Sequence, residues 1–476
     1  MGTAAVVSAT PRLSRETLRA VDQRVRVPSY DAAALDPTFV HLGLGGFARA
    51  HLCVYLDELA ERGISRSCGI VGAGLRTAAI ADPLRKQDRL WTVHPGDLGE
   101  ARVIGVLDDY VDARRDRDRL LRALTDPRCR IVTLTVTAPA YRTAPTDRSS
   151  GRPTNPFDLV AEALDVRRLS GGSPITLVSC DNLPDNQAAA RAALTAAAGR
   201  RSAQLARWTE RHVAVPRSMV DRISYCAPPQ RRAELQRELG VTDELTVMTE
   251  PFSQWVLTDE FAAGRPPLEE VGVRLVADVA PFVEAKTRIL NGTHVALGYL
   301  GLRGGHTTTA EALADPQVAR FVRSMVDTEI LPGLSPAPGL DLPDYRDTVL
   351  RRLADDRMED PLARLRRRGS IRIQNYVLPS LRDALATGRP HSKLVLVLAA
   401  WVSHLAAASA TDELTDLEDP RAAQLKPLAQ AARHDPRLLL AVHDVFGDIG
   451  RDPRLVAGVR RALADLDKEE LGAAAS

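Results

Sequence analysis

The sequence predicts an α/β protein in which a mostly parallel sheet is followed by a mainly α-helical C-terminal part. Short, almost continuously apolar runs alternate with helical segments up to about residue 279, as in sheets that are covered on both faces. From Ala280 onward, long Ala-, Leu- and Arg-rich segments with helical spacing replace them. The chain has 476 residues, enough for two or three hydrophobic cores, and we expect two domains, 1–279 and 280–476.

The individual elements follow from the same patterns. The predicted parallel strands are FVHLGLGG, SCGIVGAG, CRIVTLTVT and PITLVSCDN; the first precedes the helical FARAHLCVYLDELAERG and the last precedes NQAAARAALTAAAG. Two extended runs around a Pro-Gly turn, in RLWTVHPGDLGEARVIGVLDDY, predict a hairpin inserted into this sheet. The predicted C-terminal helices include AEALADPQVARFVRSMVDTEI, SKLVLVLAAWVSHLAAA and PRLVAGVRRALADL, with a loop at LPGLSPAPGLDLPDY.

Composition narrows the classes of function. The net charge is only +2 with 26% charged residues, which argues against a nucleic-acid partner. The longest apolar run, residues 394–402, is too short to cross a bilayer, and the N-terminus lacks the pattern of a signal peptide. The five cysteines are an odd number without CxxC spacing, which favours a reducing compartment over a zinc site. We therefore expect a cytoplasmic protein that acts on a small molecule, with no membrane or nucleic-acid partner.

A glycine-rich turn follows the first predicted strand. HLGLGGFARAH places Gly43, Gly45 and Ala48 in a G-x-G-x-x-A pattern, and a helix with an apolar face comes next. Gly43 allows the tight turn, and Gly45 lets the backbone approach a pyrophosphate at the start of the helix. The pattern predicts a Rossmann-type dinucleotide site at this turn, including Gly46 and Phe47. The last predicted strand ends in VSCDNLPDN, where Asp181 and Asn182 are either ligand-binding or ordinary turn and N-cap residues.

One lysine stands out because the chain has five lysines against 58 arginines. A guanidinium stays protonated, whereas an ammonium can lose its proton in apolar or positively charged surroundings and then act as a base. On a helix, Asn291 lies about 140° and His294 about 80° from Lys286, so the three share one face. The pattern is compatible with a catalytic base, an amide and an imidazole. Taken alone, however, such a set on a helix is more often a solvated stripe or an N-terminal polar patch.

Several motifs together resemble one family. VHLGLGGFARAH, SCDNLPDN, MVDRI, TEPFSQWVLTDEF and AKTRILNGTH occur in the order found in the polyol-specific long-chain dehydrogenases, which include mannitol 2-dehydrogenase, arabinitol dehydrogenase and hexuronate reductases. The resemblance implies that Lys286 is the general base and that His294 orients the substrate and the lysine. It implies that Asn182 and Asn291 polarise the reacting oxygen and that Asp221 contacts the substrate. No metal is implied, and relatives are often monomers.

The resemblance also implies an activity. We expect an NAD(P)-dependent oxidoreductase that interconverts a sugar alcohol and its ketose, with D-mannitol and D-fructose as the first pair to consider. A hexuronate reductase of the fructuronate or tagaturonate type is an alternative. A nucleotide-binding regulatory protein with weak turnover is another, although the retained Lys286, Asn291, His294 and Asn182 argue against it.

The sequence departs from the family in the substrate region. In RLRRRGSIR, Arg364 is retained, while Arg367 stands at a histidine position and Arg372 at a lysine position. Three guanidiniums would suit a carboxylate or phosphate on the substrate; alternatively, Arg367 points to solvent and Arg372 only replaces lysine. Two family carboxylates correspond to Ala138 and Val283, so the proton reaches solvent by another route or turnover is slower, with Glu284 a candidate substitute.

The cofactor region departs as well. Many relatives carry Glu-Asp after the second strand, where a carboxylate binds the adenosine ribose and repels a 2′-phosphate, but here Ala78 and Ala79 stand in that segment. Arg76 is close by and could pair with that phosphate. The expected cofactor is therefore NAD or NADP.

Overall fold

The computed structural model describes residues 10–77, 79–142, 155–227, 229–358, 360–408 and 418–467. The chain forms two compact units, Met1–Val279 and Ala280–Ser476. All strands of the described residues lie in the first unit, and the second unit is helical. The predicted α/β fold with a helical C-terminal part is confirmed.

The first unit contains both strands and helices. Its strands are β1 (Phe39–Leu42), β2 (Ile70–Gly74), β3 (Trp91–His94), β4 (Arg102–Ile104), β5 (Leu107–Asp112), β6 (Ile131–Leu134), β7 (Thr176–Ser179), β8 (Ser218–Asp221), β9 (Ser224–Cys226), β10 (Val247–Thr249), β11 (Gln254–Thr258) and β12 (Arg274–Val276). Its helices are α1 (Gly46–Ala50), α2 (Leu52–Glu61), α3 (Ala81–Lys86), α4 (Arg117–Thr125), α5 (Pro156–Leu169), α6 (Asn186–Arg201), α7 (Ala203–His212) and α8 (Pro229–Leu239).

A five-stranded parallel sheet, in the order β5-β2-β1-β6-β7, organises this unit. Phe39 of β1 pairs with Ile70 of β2 on one side and with Ile131 of β6 on the other. The chain therefore builds outward from β1 in one direction and then returns to build in the other. In such sheets, ligands bind outside the carboxyl ends of the strands at the point of reversal. The glycine-rich turn follows β1 and so lies at this point.

The two faces of the sheet pack against different helices, because successive side chains of a strand point to opposite faces. Phe39 and Ile131 share a core with Leu52 and Leu56 of α2. Val40, Leu42 and Leu134 share a second core with α4, α5, α6 and α7. Covering both faces explains why these strands are almost continuously apolar.

The predicted hairpin exists, but it is not inserted into the parallel sheet. β3 and β4 pair antiparallel within a separate four-stranded sheet, β4-β3-β10-β9. The end of the same sequence run, Leu107–Asp112, forms β5 at the edge of the parallel sheet instead. A third sheet has the order β12-β11-β8. The prediction was wrong because β10, the partner of β3, lies about 150 residues further along the chain, beyond the reach of local pattern reasoning.

The second unit contains α-helices, π-helical segments and short 3₁₀ helices at Leu331–Gly333, Asp356–Met358 and Gly447–Arg451. Its α-helices are α9 (Ala280–Ala285), α10 (Gly292–Ala296), α11 (Thr309–Ala314), α12 (Pro316–Met325), α13 (Leu342–Leu353), α14 (Leu362–Arg366), α15 (Gly369–Arg372), α16 (Leu378–Thr387), α17 (Ser392–Ala407), α18 (Ala422–Ala432), α19 (Arg437–Leu440), α20 (His443–Phe446) and α21 (Pro453–Asp467). Its π-helical segments are π1 (Lys286–Asn291), π2 (Leu297–Gly301), π3 (Val326–Ile330) and π4 (Ile373–Val377). α9, π1, α10 and π2 form one continuous helix over residues 280–303.

Two boundaries in this unit differ from the prediction. The segment AEALADPQVARFVRSMVDTEI is not one helix, because Asp315 caps α12 and Pro316 opens it, which ends α11 at Ala314. The Pro-rich stretch is a loop only in its first part, since Asp341 caps α13. No helix of the described residues is long and apolar enough to cross a membrane.

Many arginines of both units form a local fork. The arginine of an Asp-x-Arg sequence donates hydrogen bonds from its backbone N–H and its guanidinium to the aspartate two residues earlier. These pairs are Asp22–Arg24, Asp112–Arg114, Asp126–Arg128, Asp355–Arg357, Asp435–Arg437 and Asp452–Arg454. Six of the 58 arginines are therefore paired with an aspartate two residues away in the sequence.

Candidate active site

The glycine-rich turn has the backbone geometry that the sequence predicts for it. Gly43 has φ +96°, and a Cβ there would lie 2.3 Å from the carbonyl oxygen of Thr135, so only glycine fits. Gly45 precedes α1; a Cβ on Gly45 would meet, within 4 Å and among the described residues beyond its chain neighbours, only the Gly43 oxygen at 3.8 Å. The turn is thus closed behind Gly43 and open at Gly45, which fits the approach of a dinucleotide phosphate.

The helix after the turn is broken. α1 ends at Ala50, and α2 begins at Leu52; between them lies His51, whose backbone angles (φ −119°, ψ −79°) are distorted from those of a regular α-helix. The rings of Phe47 and His51 stack with their centroids 5.0 Å apart. The single helix expected after the turn is therefore two short helices, and His51 is buried between them.

The segment after β7 contains one polar residue that is buried and hydrogen-bonded, Asp181, and one that is exposed, Asn182. Asp181 accepts hydrogen bonds from the backbone N–H groups of Val136 and Thr137 and from the hydroxyl of Tyr141. It therefore ties down the loop after β6. Asn182 is exposed, and Asp185 rather than either predicted residue caps α6. Asp221 is buried at the end of β8.

The region after β2 is open. Arg76 is exposed, and its carbonyl oxygen accepts a hydrogen bond from Arg114 at 3.4 Å. Arg114 itself is paired with Asp112 at the end of β5. Ala79 is exposed, and Ala78 lies outside the described residues. The described residues between β2 and α3, which are 75–77, 79 and 80, include no carboxylate.

Lys286, Asn291 and His294 are all buried in the continuous helix, with exposed fractions of 8%, 8% and 4%. They do not form a solvated stripe. The α-helical spacing used in the prediction was wrong in detail, since Lys286 and Asn291 are the first and last residues of π1. A π-turn joins residue i to residue i+5, so Asn291 returns to the side of Lys286 instead of lying about 140° away.

His294 is held neutral. Burial lowers the pKa of His294 well below its usual range, and nearby positive charges lower it further. Those charges belong to Arg364, Arg372, Arg352 and Lys286. Nε2 lies 4.0 Å from an oxygen of Asp360 and makes no hydrogen bond to any described residue. Oδ1 of Asn291 likewise has no partner among the described residues. Two buried polar atoms beside a lysine thus remain available to a ligand.

The three predicted substrate arginines have different surroundings. Arg364 forms a double hydrogen bond with the buried Asp360, at 2.7 and 2.5 Å. Arg372 is half-buried; burial lowers its pKa, and it has no ion pair with a carboxylate among the described residues. Arg367 is exposed and pairs with Glu418 at 3.1 Å. Arg364 and Arg372 therefore lie close enough to His294 for their charges to lower its pKa, whereas Arg367 faces solvent.

The positions that replace family carboxylates are also visible. Val283 is half-buried, and Ala138 is exposed after β6. Glu284 is occupied elsewhere, since it pairs with Arg288 at 2.7 Å and accepts a hydrogen bond from the N–H of Ser335. It is therefore poorly suited to replace the missing carboxylate at position 283.

Sequence reasoning missed three buried polar residues, two in the helical unit and one in the parallel sheet. Arg352 and Asp360 are buried close to His294, and neither stands in a motif that singles it out. His41 is buried in β1 and hydrogen-bonded to two threonines. Its signal was present, because a histidine in an otherwise apolar strand requires buried partners.

The fold and these residues define a dehydrogenase with a Rossmann-type nucleotide unit and a helical unit that carries a buried lysine. The family models confirm this class: the mannitol dehydrogenase Rossmann domain matches residues 37–270, and the mannitol dehydrogenase C-terminal domain matches residues 278–467. The chain belongs to the mannitol dehydrogenase family, as the motifs indicated.

Individual relatives agree over nearly the whole chain. Mannitol 2-dehydrogenase of Cereibacter sphaeroides is 37% identical over 92% of this chain and 95% of its own length. The mannitol 2-dehydrogenase of Pseudomonas fluorescens, solved as a ternary complex with NAD and D-mannitol, matches with a TM-score of 0.86 and 34% identity, covering 98% of both chains. A substrate-free D-sorbitol dehydrogenase matches with a TM-score of 0.84 and 29% identity, covering 98% of this chain and all of its own.

Proposed function

We propose that the protein is an NAD(P)-dependent oxidoreductase that interconverts a sugar alcohol and its ketose, with D-mannitol and D-fructose as the leading pair. The observation that carries the proposal is the burial of Lys286 with Asn291 and the neutral His294 in one π-widened helix. The names of the relatives support the substrate class, since they act on mannitol or sorbitol.

Lys286 takes the proton in this proposal. Oxidation of a secondary alcohol requires a base at the hydroxyl oxygen while hydride leaves the carbon. Lys286 is buried, and burial disfavours the charged form of an amine, so the uncharged form can accept that proton. An arginine at this position would stay charged and could not. In the reductive direction Lys286 returns the proton to the ketose oxygen.

In this proposal, the two amides bind the reacting oxygen of the substrate, and His294 orients the substrate and the lysine. Asn291 and, by the family resemblance, Asn182 donate hydrogen bonds to the oxygen as it becomes a carbonyl; each donor contributes about 2 to 4 kcal/mol to such a transition state. His294 is neutral, so one of its nitrogens can accept a hydrogen bond from a substrate hydroxyl or the amine. By the family resemblance, Asp221, Arg364 and Arg372 are assigned to the other hydroxyls of the substrate.

The turn of residues 43–47 holds the cofactor. Gly43, Gly45, Gly46 and Phe47 fit a dinucleotide, because the backbone at Gly45 is open to a phosphate and Gly43 has the required positive φ. When bound, the nicotinamide accepts or returns the hydride. The complex of the Pseudomonas fluorescens relative contains NAD, and we propose NAD as the cofactor used first. Arg76 leaves NADP open as a second one.

The direct test is a substrate screen. We expect turnover of D-mannitol with NAD and of D-fructose with NADH, and the screen also includes arabinitol, sorbitol, fructuronate and tagaturonate with both cofactors. Cofactor binding without turnover of any of these would refute the proposal and favour a regulatory nucleotide-binding protein. Activity that is insensitive to chelators would support our further proposal that no metal takes part.

A second candidate function is the reduction of a keto-hexuronate. Four cations, Arg352, Arg364, Arg372 and Lys286, act on His294. Asp360 forms an ion pair with Arg364, whereas Arg372 has no ion pair with a carboxylate among the described residues. An uncompensated guanidinium such as Arg372 suits a substrate carboxylate. Higher kcat/KM for fructuronate or tagaturonate than for fructose would establish this alternative.

We further propose that the enzyme works as a cytoplasmic monomer. The cysteine pattern of the sequence supports a reducing compartment such as the cytoplasm. The family resemblance supports a monomer, because members of the family are often monomers. Light scattering of the purified protein, and its distribution in fractionated cells, test the two statements.

A further inference from the structure

Three polar side chains lie on one face of two neighbouring strands, directly beneath the glycine-rich turn. His41 of β1 pairs in register with Thr133 of β6, and Thr135 lies two residues beyond Thr133. Because side chains alternate along a strand, His41, Thr133 and Thr135 project from the same face. His41 and Thr133 have no exposed surface. The face is otherwise apolar, with Phe39 and Ile131 as neighbours in sequence.

The hydrogen bonds of this group run in one direction. Thr135 donates its only hydroxyl proton to the carbonyl oxygen of Gly43 at 2.7 Å. Nε2 of His41, 2.9 Å from the same hydroxyl oxygen, must therefore be the donor between the two. A neutral imidazole then has Nδ1 as its acceptor, and Thr133, 2.7 Å away, donates to it. The chain of donors is Thr133, His41, Thr135 and finally Gly43.

The histidine is neutral, as this chain of donors requires. Burial lowers the pKa of His41 to about 4. A protonated imidazole would donate from both nitrogens and would break the bond from Thr133. The hydrogen-bonded series from Thr133 to Gly43 therefore has one arrangement of protons at ordinary pH.

The series of hydrogen bonds ends on the Gly43 carbonyl, which belongs to the glycine-rich turn. The Gly43 oxygen also accepts a hydrogen bond from the N–H of Gly45 at 2.7 Å. Gly43 has φ +96°, and a Cβ on it would lie 2.3 Å from the backbone oxygen of Thr135. The peptide between residues 43 and 44 is thus fixed by a side chain from β6 and by the turn itself. A valine at position 135 would keep the shape of the side chain and lose the bond.

We propose that His41 and Thr135 are positioning residues for the dinucleotide, which fix the Gly43 carbonyl and so preorganise the backbone that receives the phosphates. The inference rests on the proposed function, since it assumes that the cofactor binds at this turn. Preorganisation of a binding backbone improves affinity by removing an ordering cost.

The test compares Thr135→Val with Thr135→Ser in the full-length protein. We expect Thr135→Val to raise the Kd for NADH, measured by fluorescence titration, and the KM for NAD by roughly tenfold, the loss of one buried hydrogen bond. kcat at saturating NAD and the KM for D-mannitol should stay within about twofold of wild type, because the substrate residues are untouched. Thr135→Ser keeps the hydroxyl and should bind NADH like wild type.

Matched controls separate this role from general stability. Thr92 is buried in β3, and its Oγ1 makes no hydrogen bond within the described part of the chain, so Thr92→Val should leave NADH affinity unchanged. His41→Leu should weaken NADH binding as Thr135→Val does. If Thr135→Val does not fold, Thr133→Val, which removes only the first donor, should still raise the Kd by about threefold.

Two outcomes would overturn the inference. Unchanged NADH affinity in folded Thr135→Val or Thr133→Val would show that the chain of donors does not act on the turn. If Thr135→Val lowers kcat and raises the KM values for NAD and for D-mannitol by similar factors, the role of Thr135 is structural only. Failure of the wild-type protein to bind NADH or NADPH would instead refute the proposed function, and it is seen before any variant is made.

Discussion

Lys286 and Asn291 stand at the two ends of a single π-turn, and both side chains are buried. In an α-helix, five residues separate two side chains by well over a quarter of a turn, whereas a π-turn brings them to the same side. The local widening thus supplies a geometry that regular helix cannot. π-turns within helices are frequent at functional sites, and here the turn contains the proposed base and one proposed donor.

Replacement of Lys286 tests the proposed base. We expect Lys286→Ala to lower kcat by about 10² to 10⁴, the usual contribution of a general base, while the Kd for NADH stays nearly unchanged. Lys286→Arg should be similarly inactive, because a guanidinium does not deprotonate. Steady-state kinetics check both, with Lys86→Ala, an exposed lysine of α3, as the control. Wild-type turnover in either Lys286 variant would sink the assignment.

Thr287 tests the π-turn itself. Its hydroxyl donates to the carbonyl of Val283 at 2.7 Å, next to the first residue of π1. We expect Thr287→Val to lower kcat about tenfold and to shift the pH–rate profile, since Lys286 is displaced relative to Asn291. Thr387→Val is the matched control: Thr387 makes the same bond to Asp383 at 2.6 Å, but at the exposed end of α16. Equal effects of the two substitutions would contradict the prediction.

The buried histidine of β1 predicts a pH dependence of stability. The folded-state pKa of His41 is lowered to about 4 from the ordinary 6.5. Between these values the unfolded chain binds a proton that the folded chain does not, so the free energy of unfolding falls as the pH drops. The contribution, up to about 3 kcal/mol, is fully present above about pH 6.5 and lost by about pH 4.

Urea unfolding of wild type and His41→Gln across this range measures that contribution. Glutamine does not titrate, so the variant should show a weaker pH dependence of the unfolding free energy. The remaining dependence belongs in part to His294, which is present in both proteins and whose pKa is also lowered by burial. Parallel curves for the two proteins would be inconsistent with a neutral, buried His41.

Two arginines of the second unit, Arg372 and Arg367, are predicted to differ in how much they contribute to substrate affinity. Arg372 is half-buried with the group that surrounds His294, whereas Arg367 is exposed beside Glu418. We expect Arg372→Met to raise the KM of the preferred substrate about tenfold or more and Arg367→Met to change it by less than about twofold. Kinetics with fructose and with fructuronate make the comparison. A larger effect at position 367 would reverse the assignment.

Arg76 predicts a difference between the cofactors. The side chain is exposed after β2, in a segment whose described residues offer no carboxylate to repel a 2′-phosphate. We expect Arg76→Ala to leave the KM for NAD unchanged and to raise the KM for NADP several-fold. Initial rates at equal cofactor concentrations decide this. A KM for NADP that does not respond to the substitution would remove any role for Arg76.

Much of the first unit could be predicted from its sequence because its signals are local. The four apolar runs form β1, β2, β6 and β7, and the positive φ of Gly43 follows from a turn that only glycine can make. The break at His51 could not be predicted, since the apolar spacing of FARAHLCVYLDELAERG continues through it. The partner of the β3–β4 hairpin was equally hidden, because β10 is far away in the sequence.

In the helical unit, the sequence identified the candidate residues but not the geometry that brings them together. Lys286, Asn291 and His294 were singled out by residue type, and their burial decides against a solvated stripe. The π-turn that relates them leaves no mark in an apolar pattern read with one helical period. The different surroundings of Arg367 and Arg372 depend on Glu418 and on burial, which no spacing rule contains.

The Asp-x-Arg forks have a consequence for the meaning of an arginine-rich composition. Each fork closes over two residues, so it needs no neighbour from elsewhere in the fold and can form in the denatured chain as well. An interaction present in both states cancels from the free energy of unfolding. The forks therefore balance charge locally and add little to the free energy of unfolding. Exchanging such an arginine for lysine should cost almost nothing in melting temperature.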